Sequence, residues 1–240
     1  MRTISTCLSP QLLPLHSFED KTVVVVDILR ATSSMITAFA YDVASITPVP
    51  TLADCRMLKE QGYITAGERG GQKVSGFDLG NSPYEFMDHQ LNGKDLAFTT
   101  TNGSQAILSV TDAHTIVLGS FLNLSATADF LLAQNGSVLI LCAGWKGKFN
   151  IEDTLYAGAL ADLLQNEFAF EDDATLASQS LYQFAAPDLM GFLKKGSHPR
   201  RLAGFENHQD MEFCIQRDKF QLNAIFREGK LFRLEQTSII

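Results

Sequence analysis

Positive charge is scarce in this chain: 19 Lys and Arg stand against 27 Asp and Glu, for a formal net charge of −8 at pH 7. Proteins that hold nucleic acid or an anionic membrane by electrostatics need the opposite balance, so neither is expected as a partner. A small anion stays open, because a local group of arginines and a metal ion outweighs distant surface charge. Long apolar runs are also missing, and none approaches the ~20 residues that span a bilayer. The opening MRTISTCLSPQLLPLH has no charged-then-apolar-then-small order, so no signal peptide is expected. These absences point to a soluble, cytoplasmic protein. Paired cysteines are lacking: Cys7, Cys55, Cys142 and Cys214 lie far apart with no CxxC, which reads as buried free thiols in a reducing compartment. No HExxH, P-loop or paired zinc spacing occurs. Of the five histidines, only His198, followed by Pro199, Arg200 and Arg201, has a suggestive neighbourhood.

What is present is an alternation of strand and helix signals over 240 residues. Thr22 is followed by four valines, a continuous β-branched run of the kind covered on both faces in a mainly parallel sheet. A helix is expected after Thr32, Ser33 and Ser34, which offer N-caps. Further strands are expected at 44–49, 63–66, 96–99, 115–118 and 137–142, with helices at 53–61, 104–110, 125–133 and 153–166. Pro83 is placed to open another helix through Tyr84 and Met87. The chain then reads as mostly helical to about 195 and closes with strand candidates at 212–216 and 231–234. The whole reads as one layered α/β/α domain, Rossmann-like, with a parallel or mixed sheet and added C-terminal helices and strands; a weak division near residue 135 is the alternative.

Open α/β sheets bind ligands at the carboxyl ends of their strands. Four polar segments fall there: 27–34, 68–81, 99–104 and 144–153. Asp27 ends the valine run, where a bare carboxylate is costly without a partner. It reads either as a magnesium or catalytic carboxylate or as a cap for the next helix. Arg30, three residues on, suits bidentate phosphate recognition or a salt bridge to Asp27. The stretch 67–83 holds five glycines and a proline and reads as an irregular functional loop, its backbone open to an anion. Within it Glu68 and Asp78 are candidate bases, and Arg69, Lys73 and Asn81 candidate substrate contacts; a surface flap without chemistry is the rival. Thr101 and Asn102 belong to a second possible anion cradle, or to a helix cap. Glu152 and Asp153 open a helix, for oxygen ligation or for the helix dipole alone. His198 and Arg200 form a possible anion clamp or a solvated basic turn.

The segments VVVVDILRATSSMITA, GERGGQKVSGFDLGNSP, FTTTNGSQAI, NIEDTLYAGALA and GSHPRRLAGF with DMEFCIQRD resemble, in order, the motifs of the 2-phosphosulfolactate phosphatases. The resemblance implies an α/β, Mg2+-dependent hydrolase that converts 2-phospho-3-sulfolactate to 3-sulfolactate and phosphate, a step towards coenzyme M in methanogens. A small, multiply anionic organic phosphate would then be the partner. The residue roles follow from position and chemistry, not from the resemblance: Asp27, Glu68 and Asp153 are the expected metal ligands, Asp27, Glu68 and Asp78 the catalytic groups, and Arg30, Arg69, Lys73, Asn81, Thr101, Asn102, His198 and Arg200 the substrate contacts. A homodimer would complete a site built from so many loops.

Overall fold

The computed structural model describes residues 1–197 and 208–234. Its centre is the valine run: Thr22–Val26 forms β2, flanked by β7 (Thr115–Gly119) and β8 (Val138–Cys142), both parallel to it. Val23 to Val26 are fully buried. Side chains of this size contribute about 2 kcal/mol each when removed from water, which explains why the run has no polar alternation. Beyond β8 lie β1 (Thr3–Cys7) and the short β9 (Ala169–Phe170), again parallel.

A second parallel block consists of β3 (Ser45–Pro48), β6 (Asp95–Thr99) and β4 (Ile64–Arg69), with the two-residue β5 (Gln72–Lys73) antiparallel at its edge. A C-terminal hairpin, β10 (Asn223–Arg227) and β11 (Lys230–Leu234), joins the blocks, giving the order β5-β4-β6-β3-β11-β10-β7-β2-β8-β1-β9. The sheet is mixed, mostly parallel and open. It crosses residue 135 without interruption, because β8 sits between β2 and β1.

The hairpin pairs only with residues 116 and 117 of β7 and residue 46 of β3. Past its reach, the loops leaving the carboxyl ends of the two blocks meet each other. Register supports this: Val26 stands level with Gly119 and Cys142, and Gly67 with Thr99, so the chain leaves each block along one edge. Helices cover both faces. On one side α1 (Ala31–Ala40) and α3 (Gly103–Leu108) pack through Met35, Phe39 and Ile107. On the other, α4 (Leu124–Ala133), α5 (Ile151–Leu164) and α6 (Asp173–Ala185) pack through Leu131, Leu155, Tyr156 and Leu160. Helix α2 (Leu52–Glu60) buries Cys55 against Ala97. The four cysteines are free and buried, as expected.

Five sequence expectations need correction. The strand expected at 63–66 runs on to Arg69, and the glycine-rich stretch is partly regular: Gly70 and Gly71, at φ 63° and 87°, turn it into the β4–β5 hairpin. Pro83 opens only a 3-10 turn, Pro83–Phe86. The strand expected at 212–216 is instead helix α8 (His208–Cys214), which follows α7 (Leu189–Lys195). Its buried residues, Asp210, Met211, Phe213 and Cys214, have helical spacing. Strand β1 was missed because its polar members Thr3, Ser5 and Thr6 mask a strand that is nearly all buried. Strand β10 was missed too; its pairing with distant β7 supplies what its local pattern does not.

Candidate active site

Where the blocks meet, loops from β2, β4, β6 and β8 bring carboxylates together. Asp27 is buried, and the backbone N–H groups of Ala31 and Gly103 favour its ionised form. Burial opposes them most strongly, followed by the charges of Glu68 and Glu152, and the carboxyl is pushed from 3.8 up to about 7. Gly103 is required for this approach: a Cβ there would lie 2.6 Å from the Ala31 Cβ and 2.8 Å from Asp27 Oδ2. One carboxylate therefore faces the first turns of both α1 and α3.

Glu68 accepts 2.6 Å hydrogen bonds from the Gly71 N–H and the Thr101 N–H, clamping the hairpin turn to the β6–α3 loop. Gly67, just before it, crosses the Thr99 carbonyl so closely that a Cβ would come within 2.3 Å. Arg69 donates to the Glu68 carbonyl at 2.7 Å and to Thr99 Oγ1 at 2.9 Å. Asp153, fully buried, accepts from Ile28 N–H, Gly144 N–H and Asn150 Nδ2 at 3.0, 3.0 and 2.8 Å. Burial first, then Asp27 and Glu152, raise its pKa well above the usual carboxylate range. Asp153 thus ties the β2–α1 loop to the β8–α5 loop, and its oxygens are largely taken by this bracing. Glu152, one residue earlier, is the acid whose charge reaches both Asp27 and Asp153.

Arg30 does not pair with Asp27. Its buried guanidinium reaches Asp210 of α8 through Nη1, and Nη2 donates to the Gly71 carbonyl at 3.2 Å. Ser82 Oγ holds the other Asp210 oxygen at 2.6 Å. Asp210 lies 180 residues away in sequence; the only signal for it was its place in the DMEFCIQRD motif, which had been read as a strand.

Two candidates are engaged elsewhere. Asp78 accepts from Lys59 at 2.7 Å and from the N–H and Oγ1 of Thr65 at 2.9 and 2.7 Å. Burial works against ionisation there, but the Lys59 and Thr65 hydrogen bonds outweigh it and lower the pKa to about 2. Lys73 donates to the Asp78 carbonyl at 2.7 Å and pairs with Glu85 at 3.4 Å. Both fasten the glycine-rich loop rather than face Asp27. Asn81 is buried, its carbonyl accepts from Ser34 Oγ, and its Oδ1 has no hydrogen-bond partner among the described residues. The Asn102 side-chain oxygen accepts from Lys146 N–H at 3.0 Å, and Thr101 Oγ1 from Gly70 N–H at 3.4 Å. His198 and Arg200 lie outside the described residues.

Among the described residues, no three His, Cys, Asp or Glu side chains form a ready-made metal cage. Mg2+ does not need one, since it takes one or two carboxylates and completes its shell with water and phosphate oxygens. Asp27 and Glu68 meet that requirement: hard oxygen donors, mutually repelling, one just past β2 and the other near the end of β4. A surface cavity of about 560 Å³ lies at the other end of β7, lined by His114, Asp129, Phe130, Asn223 and Arg227. It holds none of the converging carboxylates.

An open α/β sheet whose strand-end loops gather buried acids beside helix N-termini defines a class of protein that handles small anions. Comparison with known sequences agrees. The family model described as 2-phosphosulpholactate phosphatase matches residues 7–229, and the chain belongs to that family. It is 38% identical over 219 residues to a probable 2-phosphosulfolactate phosphatase of Caldanaerobacter subterraneus subsp. tengcongensis, covering 89% of this chain and 91% of the relative. Proteins of the same name from Thermotoga maritima and Synechocystis sp. are 38% and 36% identical, covering 89% and 88% of this chain and 94% and 90% of their own. No helix among the described residues is long and apolar enough to cross a membrane.

Proposed function

We propose that this chain is a phosphoric monoester hydrolase that cleaves 2-phospho-3-sulfolactate to 3-sulfolactate and inorganic phosphate, with Mg2+ as its cofactor. The observation that carries this reading is the meeting of Asp27, Glu68 and Glu152 at the carboxyl edge, in a chain whose relatives bear that enzyme's name. Asp27 and Glu68 would hold the ion, which when bound supplies positive charge to the phosphoryl oxygens. The remaining work falls to the protein. Arg69 has guanidinium N–H groups beyond those given to Thr99 and Glu68, and these suit phosphoryl oxygens. Arg30, oriented by Asp210, adds a second fixed guanidinium. Each Glu68 oxygen accepts one N–H and keeps a lone pair with which to orient water. Water attacks phosphorus, the P–O ester bond breaks with its electron pair on the lactate oxygen, and that oxygen takes a proton.

Direct attack by water is favoured over an aspartyl-phosphate at Asp27. Aspartate nucleophiles commonly have a helper acid two residues on, where this chain has Leu29. Borohydride reduction during turnover separates the two, since conversion of Asp27 to homoserine would reveal an acyl phosphate and exclude direct attack. The overall reading is tested by phosphate release from 2-phosphosulfolactate and from carboxylate analogues, with Mg2+ and with chelator. Release confined to the sulfonated ester with Mg2+ supports it. Binding without turnover would make the chain an anion-binding module, and a preference for the carboxylate analogue would change the substrate.

A further inference from the structure

The β8–α5 loop contains a feature that the scheme above does not use. Trp145 N–H donates to the Lys148 carbonyl at 2.8 Å and Lys148 N–H to the Trp145 carbonyl at 3.0 Å, closing a two-residue turn. Its central residues, Lys146 and Gly147, sit at φ 49° and 78°. A turn with both central residues left-handed strongly prefers Asn or Asp before the glycine, because that conformation costs most side chains about 1 kcal/mol or more. Lysine occupies the place instead, and such an outlier is a reason to look for a role.

The turn is fastened on three sides. Lys146 N–H donates to Asn102 Oδ1 at 3.0 Å, Ser9 Oγ donates to the Gly147 carbonyl at 2.9 Å, and Gly144 N–H donates to Asp153 at 3.0 Å. Asn102 directly precedes Gly103, whose N–H faces Asp27, so the turn stands beside the reaction centre. The Lys146 side chain is exposed and has no ion-pair partner among the described residues; its ammonium lies 5.5 Å from the centre of the Trp145 ring. The neighbouring cations differ. Arg30 is held by Asp210, Arg69 by Thr99 and the Glu68 carbonyl, and Lys73 by Glu85 and the Asp78 carbonyl.

We propose that Lys146 is a specificity-determining residue that receives the second acidic group of the substrate, the sulfonate or carboxylate that a simple phosphate monoester lacks. This rests on the phosphatase reading and adds the group that selects among phosphate esters. A compact ammonium on a flexible four-carbon stem fits such a role, since it needs no planar bidentate partner. Lys148 belongs to the same turn and carries the same charge but lies outside its left-handed centre, so it serves as the control.

The decisive variant is Lys146→Asn, which supplies the residue the turn prefers and removes the ammonium with its stem. Its thermal stability should equal or exceed that of the wild type. Its KM for 2-phosphosulfolactate should rise about tenfold or more with kcat nearly unchanged, the pattern of lost uniform binding, while KM for p-nitrophenyl phosphate stays within about twofold. K146R should recover most of the loss and K148A should cause little. An equal KM rise for both esters, or a K148A effect as large as that of K146N, would overturn the proposal. If the wild type cleaves neither ester, the phosphatase reading fails, and calorimetric binding of 3-sulfolactate decides the contact by itself. Weaker binding by K146N sustains it; unchanged binding refutes it.

Discussion

Replacing Asp27 with asparagine should abolish activity and yet stabilise the protein at neutral pH. Burial, then Glu68 and Glu152, raise the Asp27 carboxyl from 3.8 to about 7. For an acid raised on folding, the folded state is favoured while the group is protonated. The penalty is absent well below 3.8, grows as pH climbs towards about 7, and is constant above. A shift of roughly three units corresponds to about 4 kcal/mol. Asparagine never ionises and escapes that penalty, but its single oxygen cannot serve the Ala31 and Gly103 amides equally, which returns about 1 kcal/mol. Urea unfolding of both proteins in chelator, from about pH 4 to pH 8, should show the variant overtaking the wild type and leading it by about 3 kcal/mol at pH 8. Adding Mg2+ should narrow the gap by stabilising the wild type alone. A stability difference that stays flat with pH would refute the crowding of carboxylates around Asp27.

Asp210→Ala removes one buried counter-charge from the Arg30 guanidinium, and urea unfolding should register a loss of about 3–5 kcal/mol. At the milder Asp210→Asn, a fall in kcat/KM larger than the stability loss explains would mark Arg30 as a substrate contact. Gly103→Ala drives a methyl group against Ala31 and Asp27 Oδ2, and should cost about 1–3 kcal/mol together with most of the phosphatase activity. Asp78→Asn should leave turnover within about threefold and cost about 1 kcal/mol or less, because its pair with Lys59 is more than a third exposed. Its sign is opposite to that of Asp27. A carboxyl lowered to about 2 stabilises the fold above its unfolded value of 3.8, and that contribution fades as pH falls towards 2. A collapse of turnover in this variant would return Asp78 to the catalytic set.

Legible in the chain alone were the features that depend on near neighbours. The valine run declared a strand covered on both faces, the helical periods of α4 and α5 were visible, and the strand-end rule picked out Asp27, Glu68 and Arg30 as members of one place. Those three do meet, through Gly71 and through the charge that Glu68 exerts on Asp27. Partnership was not legible, because a carboxylate's role depends on which donors already occupy its oxygens. Asp153 had the composition of a ligand and serves largely as a brace; Asp78 had that of a base and is claimed by Lys59 and Thr65. For Arg30 a salt bridge to Asp27, three residues away, was the alternative to phosphate recognition, while the folded chain supplied Asp210 from α8. Strand β10 likewise revealed itself only by its partners, β11 and β7. Local pattern selects secondary structure because its hydrogen bonds and buried faces repeat over a few residues. Ion pairs and shared carboxylates are decided by what the packed sheet brings within about 4 Å, and no spacing along the chain encodes that distance.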